Sequence, residues 1–361
     1  MRTRSVILLG ALLASAAATA DEQIHSVKPT VAAVCVMSSQ PVEVDGRLDD
    51  AAWEAAVPVS GFTISGLEAL APNQTAFRIL RDRDALYIGV RCLEQNMDGL
   101  EATVANRDGS VWHDDVVELF LDTNHDHESF KQFAVNPLAT RFDSDTGSRT
   151  WDAEWQAAAD TGETGWGVEV RIPFASLKVE PPAAGDVWGL NVCRERQAGG
   201  ETVLHNWANV QGNFLRPWLF GHLYFAGEDF RLSEEVAREM GERMEVPVWL
   251  GLRRERALVD ARGVQQQLAY ADLLRRSFQQ AGELREIHAE LAAIYQESPQ
   301  GAYRERFDPL HEQYLKLQRA SQELDVGPLE WAAQTVMIDD LTGQLEDLRW
   351  TVKIARLLGD F

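Results

Sequence analysis

Long apolar runs are missing from this 361-residue chain: no segment reaches the roughly 18 consecutive apolar residues of a membrane-crossing helix. Positive charge is also short. Lys and Arg number 34 against 56 Asp and Glu, a net charge of −22. Such an excess of acid repels nucleic acid and anionic membrane surfaces, and excludes both as partners. Cysteine is scarce. Cys35, Cys92 and Cys193 allow at most one disulfide, and their spacing matches no metal site. Cys92 and Cys193 lie in strand-like runs and read as small buried hydrophobes.

What is present begins with Arg2 and Arg4, the apolar run from Val6 to Leu13, and small residues ending Ala18-Thr19-Ala20 before Asp21. That order is the pattern of a secretory signal peptide over residues 1–20, so a secreted or periplasmic protein is expected. Residues 21–41 read as a lead-in. From 42 to 230 the chain is rich in Trp and Gly, with short alternating runs separated by turn residues. Strands are expected at Leu86–Cys92, Val116–Leu121, Phe130–Asn136, Trp166–Ile172, Trp188–Arg194 and Gly221–Phe225. Many short strands without intervening helices predict an antiparallel, jelly-roll-like β-sandwich. Trp53, Trp166, Trp188 and Trp207 are assigned to its core.

From 231 to 361 Glu, Arg, Gln, Ala and Leu take over, and Ser233 is a fitting N-cap. Residues spaced four and three apart run from Tyr270 through Leu274, Ala281, Leu284 and Leu291 to Tyr295. Others run from Leu310 to Leu324, and from Trp331 through Leu341, Leu345 and Leu348 to Ala355. Breaks fall at Ser298–Gly301 and Gly327-Pro328. Three antiparallel helices are expected, an all-α helical bundle or short coiled coil. Through it the chain has a candidate surface for a protein partner or for self-association.

Seven motifs carry the functional reading. Asp45-Gly46-Arg47-Leu48-Asp49-Asp50-Ala51-Ala52-Trp53 offers a glycine turn, with Asp49 or Asp50 as cap of a one-turn helix burying Trp53. It is followed by Leu86-Tyr87-Ile88, then by Trp112 to Glu118, then by Phe133-Ala134-Val135-Asn136. Trp166–Phe174 and Gly185–Asn191 come next, and Phe220-Gly221-His222-Leu223 closes the series. Taken in order, the set resembles the family 9 carbohydrate-binding modules over residues of about 42–226.

That resemblance implies a non-catalytic module that grips a sugar or oligosaccharide end between two aromatic rings, in association with carbohydrate catabolism. Stacking suits the apolar C–H faces of a pyranose, and its rim of hydroxyls needs directed donors and acceptors. By the resemblance Trp112 is the first aromatic and Glu118 the acid that accepts from hydroxyls. Arg141 is the hydroxyl-binding arginine and Phe214 the second aromatic, where tryptophan is the family's usual residue. Gln211 and Asn213 flank it as amides. Bound calcium is a further implication. Asp122, Asn124 and Asp126 offer oxygens at alternate positions, although the glycine and distal glutamate of an EF-hand are missing. His113, His125 and His127 leave a transition metal open as an alternative.

Two other readings compete. In a glycoside hydrolase, or an accessory subunit of one, Asp114 and Glu118 would be the carboxylate pair. Four residues apart on one strand they would stand about 13 Å apart, beyond the ~6.5–9.5 Å of inverting enzymes. In a scaffold, the sandwich would have lost sugar binding. A haem-binding variant of that reading would need Met97 as an axial ligand.

Overall fold

The computed structural model describes residues 28–361. The proposed signal peptide lies outside them, and no helix among the described residues is long and apolar enough to cross a membrane.

The first part of the chain is sheet-rich. Its strands are β1 (Thr30–Met37), β2 (Thr63–Ile64), β3 (Thr75–Arg81), β4 (Ala85–Leu93), β5 (Val116–Asp122) and β6 (Lys131–Val135). After them come β7 (Arg141–Asp145), β8 (Gln156–Gly162), β9 (Gly165–Pro173), β10 (Val187–Arg196), β11 (Val203–Asn206) and β12 (Gly221–Phe225). All six expected strands are present. The main path runs β7-β6-β5-β10-β12-β1-β3-β4-β9-β8. Its two halves face each other across one core. Val117, Leu119 and Leu121 meet Ile88 and Val90 of β4 and Trp166, Val168 and Val170 of β9, all at most 1% exposed. Strict alternation along β4, β5 and β9 turns every second side chain into this core. Trp53, Trp166, Trp188 and Trp207 are buried, as are the three cysteines, all of them free.

Two expectations need correction here. The sheet is not wholly antiparallel, because β1 pairs parallel with β12 and β3. The long connection Ser38–Gln74 permits such a crossover. And the lead-in at 21–41 contains this strand at the centre of the sheet. Its sequence TVAAVCVM does not alternate because both faces are covered. Ala33 and Cys35 enter the common core, while Ala32, Val34 and Val36 enter a second one. Gly46 does form a turn, at φ +93°. The one-turn helix Ala52–Ala55 has no side-chain cap, since the Asp50 carboxylate accepts from Glu43 N instead.

Residues 231–361 are not all helical. Helix α1 (Glu234–Met244), capped by Ser233, is followed by β13 (Val248–Gly251), β14 (Glu255–Asp260) and β15 (Gly263–Ala269). β13 pairs parallel with β1 and so extends the same sheet. Met240, Met244, Val248, Leu250, Ala257 and Val259 build the second core with the outer side of β1, with Tyr224 and with Trp53. Pro247, Gly251 and the turn Asp260-Ala261-Arg262-Gly263, with Gly263 at φ +110°, mark the limits of this meander in the sequence.

The remaining helices are α2 (Tyr270–Gln280), α3 (Gly282–Glu297), α4 (Arg304–Ala320) and α5 (Pro328–Leu358). Four helices stand where three were expected, because the first seam is broken at Ala281, with ψ 61°, ahead of Gly282. Arg285 donates to the carbonyls of Phe278 and Gln279, both at 2.6 Å, and so closes the end of α2. The later seams hold. Leu341, Leu345, Leu348 and Val352 of α5 are fully buried against Leu284, Ile287, Leu291 and Leu317. Pro328 opens α5 at a position where its missing N–H costs nothing.

Candidate ligand-binding pocket

The outer face of β7-β6-β5-β10, turned away from the common core, carries a pocket of about 360 Å³. Parity selects its floor. Val117 and Leu119 point inward, so Glu118 points out. Phe133 points inward, so Gln132 points out and stands opposite Ser144 in the register. Glu195 of β10 joins them diagonally, with Cys193 paired to Glu118 and Glu195 to Val116. A relay results: Ser144 Oγ donates to Gln132 Oε1 at 2.9 Å, and Gln132 Nε2 donates to Glu118 Oε2 at 2.6 Å. Glu118 also shares a hydrogen bond with Glu195. Burial, reinforced by the negative charge of Glu195, pushes the Glu118 carboxyl up to about 8. Glu195 is likewise raised by burial. At neutral pH the pair therefore holds a proton, and the floor offers both a donor and acceptors to a hydroxylated ligand.

Trp112 forms one wall. It sits in the short 3-10 turn Val111–His113, and its carbonyl accepts from Gln197 Nε2 at 3.0 Å. Its ring meets Phe142 edge to face at 5.5 Å. The guanidinium of Arg149 lies over both rings. The opposite wall is Phe214, with Asn213 and Leu215. Phe214 is only 6% exposed and packs edge-on against Phe120, with ring centres 6.2 Å apart.

The structure thus gathers Trp112, Glu118, Asn213 and Phe214 in one pocket. It does not bring in Arg141. That residue shares the parity of Asp143, so its guanidinium turns to the other side, lies over the Trp155 ring and donates to the Trp155 carbonyl. Gln211 stays outside as well. It holds a left-handed turn, φ +55°, and its carbonyl accepts from Arg216. Sequence reasoning missed Gln132, Phe142, Ser144, Arg149 and Glu195. For Gln132, Phe142 and Ser144 the signal was strand alternation read outward from Phe133. For Glu195 it was the extension of β10 past Arg194.

The proposed pairing of Asp114 with Glu118 is not formed. Asp114 lies before β5, fully buried. It accepts from Thr103 N at 2.9 Å, Val104 N at 2.8 Å and Asn136 Nδ2 at 2.7 Å. Burial alone would raise its pKa, but these donors hold it below the usual carboxylate range. Its place is that of a clamp between three segments.

The loop after β5 is tied together by its own side-chain oxygens. Asp122 Oδ1 and Oδ2 accept from Asp126 N and His127 N. Asp126 accepts from Glu128 N, Ser129 N and the amide of Asn124. Asn124 Oδ1 accepts from Ser129 Oγ. Each of these oxygens serves the turn, and the set does not fit the open oxygen cage that calcium takes. His125 and His127 gather with His222, whose Nδ1 lies 2.9 Å from His125 Nε2, while His113 lies exposed beside Trp112. Among the described residues no group of three or more His, Cys, Asp or Glu is arranged to hold a metal.

Comparison with known proteins adds the following. A family model described as Carbohydrate family 9 binding domain-like matches residues 44–228. A family 9 carbohydrate-binding module from Caldicellulosiruptor kristjanssonii, solved in complex with cellotriose, is similar at 20% identity and a TM-score of 0.42, over 54% of this chain and 94% of that one. A module from the same organism in complex with glucose is similar at 20% identity and a TM-score of 0.43, over 56% and 99%. A candidate carbohydrate-binding protein from Bacteroides uniformis is similar at 14% identity and a TM-score of 0.46, over 54% and 99%. No curated protein sequence matches.

Proposed function

Because this chain belongs to the carbohydrate family 9 binding domain-like family, we propose that it is an exported, non-catalytic protein that binds a saccharide end in the pocket between Trp112 and Phe214. One observation carries the reading: an aromatic wall and a polar floor of Glu118, Gln132, Ser144 and Glu195 converge on one recess. The ring of Trp112 offers an apolar face for a pyranose, and the proton-sharing acid pair offers directed hydrogen bonds to its hydroxyls. Asn213 supplies an amide at the rim. Phe214, buried edge-on, closes the far side.

A hydrolytic role finds no support in the same pocket. Its two carboxyls, Glu118 and Glu195, are diagonal neighbours on one face of adjoining strands, whereas the carboxyl pair of a glycosidase flanks the scissile bond from two sides. We further propose that the two facing sheet halves behave as the family's sandwich and that residues 1–20 direct export.

Titration calorimetry of the full chain with soluble gluco-oligosaccharides tests the proposal. Saturable binding that weakens about tenfold or more in Trp112→Ala is expected, from lost stacking and buried area. Absence of heat with any neutral oligosaccharide, or binding indifferent to Trp112→Ala, overturns it.

A further inference from the structure

A second recess, larger than the first, lies where the C-terminal half folds back on the sheet. It is a cleft of about 770 Å³. Its floor is the outer face of β3, β4, β9 and β8. The register sets Ala76 beside Arg91, Arg91 beside Gly167, and Gly167 beside Asp160, one row across four strands. The neighbours along these strands, Phe77, Val90 and Val168, turn into the common core, so the row faces outward. Gly167 has no side chain and so admits the Gly46 carbonyl, which would stand 2.6 Å from an added Cβ, while the small Ala76 leaves the sheet face beside Arg78 and Arg91 low. One wall is the turn Gly46–Asp49. The other is Arg253 and Arg254, between β13 and β14, with the first turn of α5.

The charge of this cleft runs against that of the chain. Five arginines line it in a protein of net charge −22. Two are neutralised, Arg47 by Asp160 at 3.8 Å and Arg254 by Asp325 at 2.8 Å. Arg78, Arg91 and Arg253 form no ion pair with a described residue. Arg78 gives one N–H to the Trp53 carbonyl at 3.0 Å, and Arg253 gives one to the Glu54 carbonyl, which fixes both side chains. A guanidinium has five donors, so most are left to meet solvent or a ligand. Arg78 is half-buried, and burial together with the charge of Arg253 lowers its pKa. Glu330 and Glu54 act on Arg78 in the opposite sense, so these arginines are balanced in part by nearby carboxylates although none of the three is paired with one. Asp49 and Glu330 line the same cleft. These carboxylates disfavour a polyphosphate and suit a ligand that also brings hydroxyl donors. The volume lies within the ~300–1,000 Å³ of small-molecule sites.

We propose that this cleft binds a carboxylate-bearing saccharide, a uronic-acid unit in a short oligosaccharide. Arg78, Arg91 and Arg253 hold its carboxylate by forked, charge-assisted hydrogen bonds, and Asp49 and Glu330 accept from its hydroxyls. The site lies on a different sheet half from the Trp112 pocket and stands or falls without it. It gives the C-terminal half a binding role, because Arg253 and the start of α5 complete the cleft.

The test is titration calorimetry of the full chain with digalacturonate and with cellobiose, at low and high salt. Digalacturonate is expected to bind saturably, more weakly at high salt, and about tenfold or more weakly in each of Arg91→Gln and Arg253→Gln. Arg91→Lys keeps the charge but loses the fork, and falls between. The response to cellobiose is expected to be the same in these variants as in the native chain. Thermal unfolding of each variant establishes that it is folded, and Arg91→Lys serves where the glutamine variant is not. No binding of digalacturonate overturns the proposal, as does binding untouched by all three substitutions. Loss in Trp112→Ala with Arg91→Gln unaffected also overturns it, since the ligand then occupies the other pocket. Displacement of digalacturonate by equimolar inorganic sulfate overturns the saccharide part, because a simple anion would then suffice.

Discussion

The guanidinium carbon of Arg149 lies 4.7 Å from the centre of the Trp112 ring and 5.0 Å from that of Phe142. The aromatic wall of the pocket is therefore already covered by a cation from an exposed loop. A sugar that stacks on Trp112 must displace it. At an exposed site a cation–π contact is worth about 0.5–1 kcal/mol, which sets the size of the effect. Arg149→Ala is expected to tighten saccharide binding about two- to fivefold, whereas Trp112→Ala weakens it. Calorimetric titration of both variants checks this. If Arg149→Ala weakens binding instead, Arg149 is a contact to the ligand and not its competitor.

Folding stability should depend on pH through Glu118. Its folded pKa, about 8, stands above the ordinary carboxylate value of 4.5. Between these two the native state binds a proton that the unfolded chain has released, so stability is full below about pH 4.5 and is lost as pH rises through about 8. Glu118→Gln is expected to flatten the fall in urea midpoint between pH 5 and 8. An unchanged slope would show that the proton is not held there.

The acid side is governed by buried histidines. Burial, with neighbouring positive charge, lowers His205 to about 3, and burial with His125 and His127 does the same for His222. Below pH 6.5 the unfolded chain takes up protons that the folded chain refuses, so stability falls as pH drops from about 6.5 toward 3. His222→Gln is expected to reduce this acid slope, measured as thermal midpoint between pH 4 and 7. A slope as steep as that of the native chain would refute the assignment.

Gly46 is a position where glycine is required. At φ +93°, an added Cβ would lie 2.5 Å from the carbonyl carbon of Ala159. The same turn donates Asp45 N and Gly46 N to Glu169 Oε2, at 2.9 and 3.0 Å, while Trp53 Nε1 donates to Glu169 Oε1 at 2.7 Å. Gly46→Ala is expected to destabilise the fold by about 1–3 kcal/mol, read from equilibrium denaturation. Gly147→Ala, with open space around it, should cost less.

Much of this was legible in the chain. Strands β4, β5 and β9 announce themselves by an apolar residue at every second place, all of them turned into the common core. The helical seam from Ile338 to Ala355 is plain for the same reason at a period of 3.6. Trp112, Glu118, Asn213 and Phe214 were brought to the pocket by resemblance. Arg141 stands one residue off the pocket side of β7: in a strand such a shift changes the face, and Phe142 and Ser144 hold the pocket side. Gln132 and Glu195 were passed over because a lone polar residue in a strand looks the same whether it faces solvent or a site. β1 was invisible because burial on both sides erases alternation. The β13–β15 meander was legible in Pro247, Gly251 and the Asp260–Gly263 turn, but its strands are short and lie between helical stretches.

β1 also bears on how the molecule is made. It precedes every other described strand, yet its partners β12 and β13 follow about 190 and about 220 residues later. An emerging chain must keep Thr30–Met37 unpaired on that side until both have appeared, and such distant pairings are slow to form. A fragment cut to residues 44–228 would contain β12 and β3 without the strand that joins them. Its seam would expose the edges flanking Leu223 and Leu80 and invite association with other chains. Material for binding studies should begin before Thr30, and refolding should be followed in the time domain of late, long-range closure.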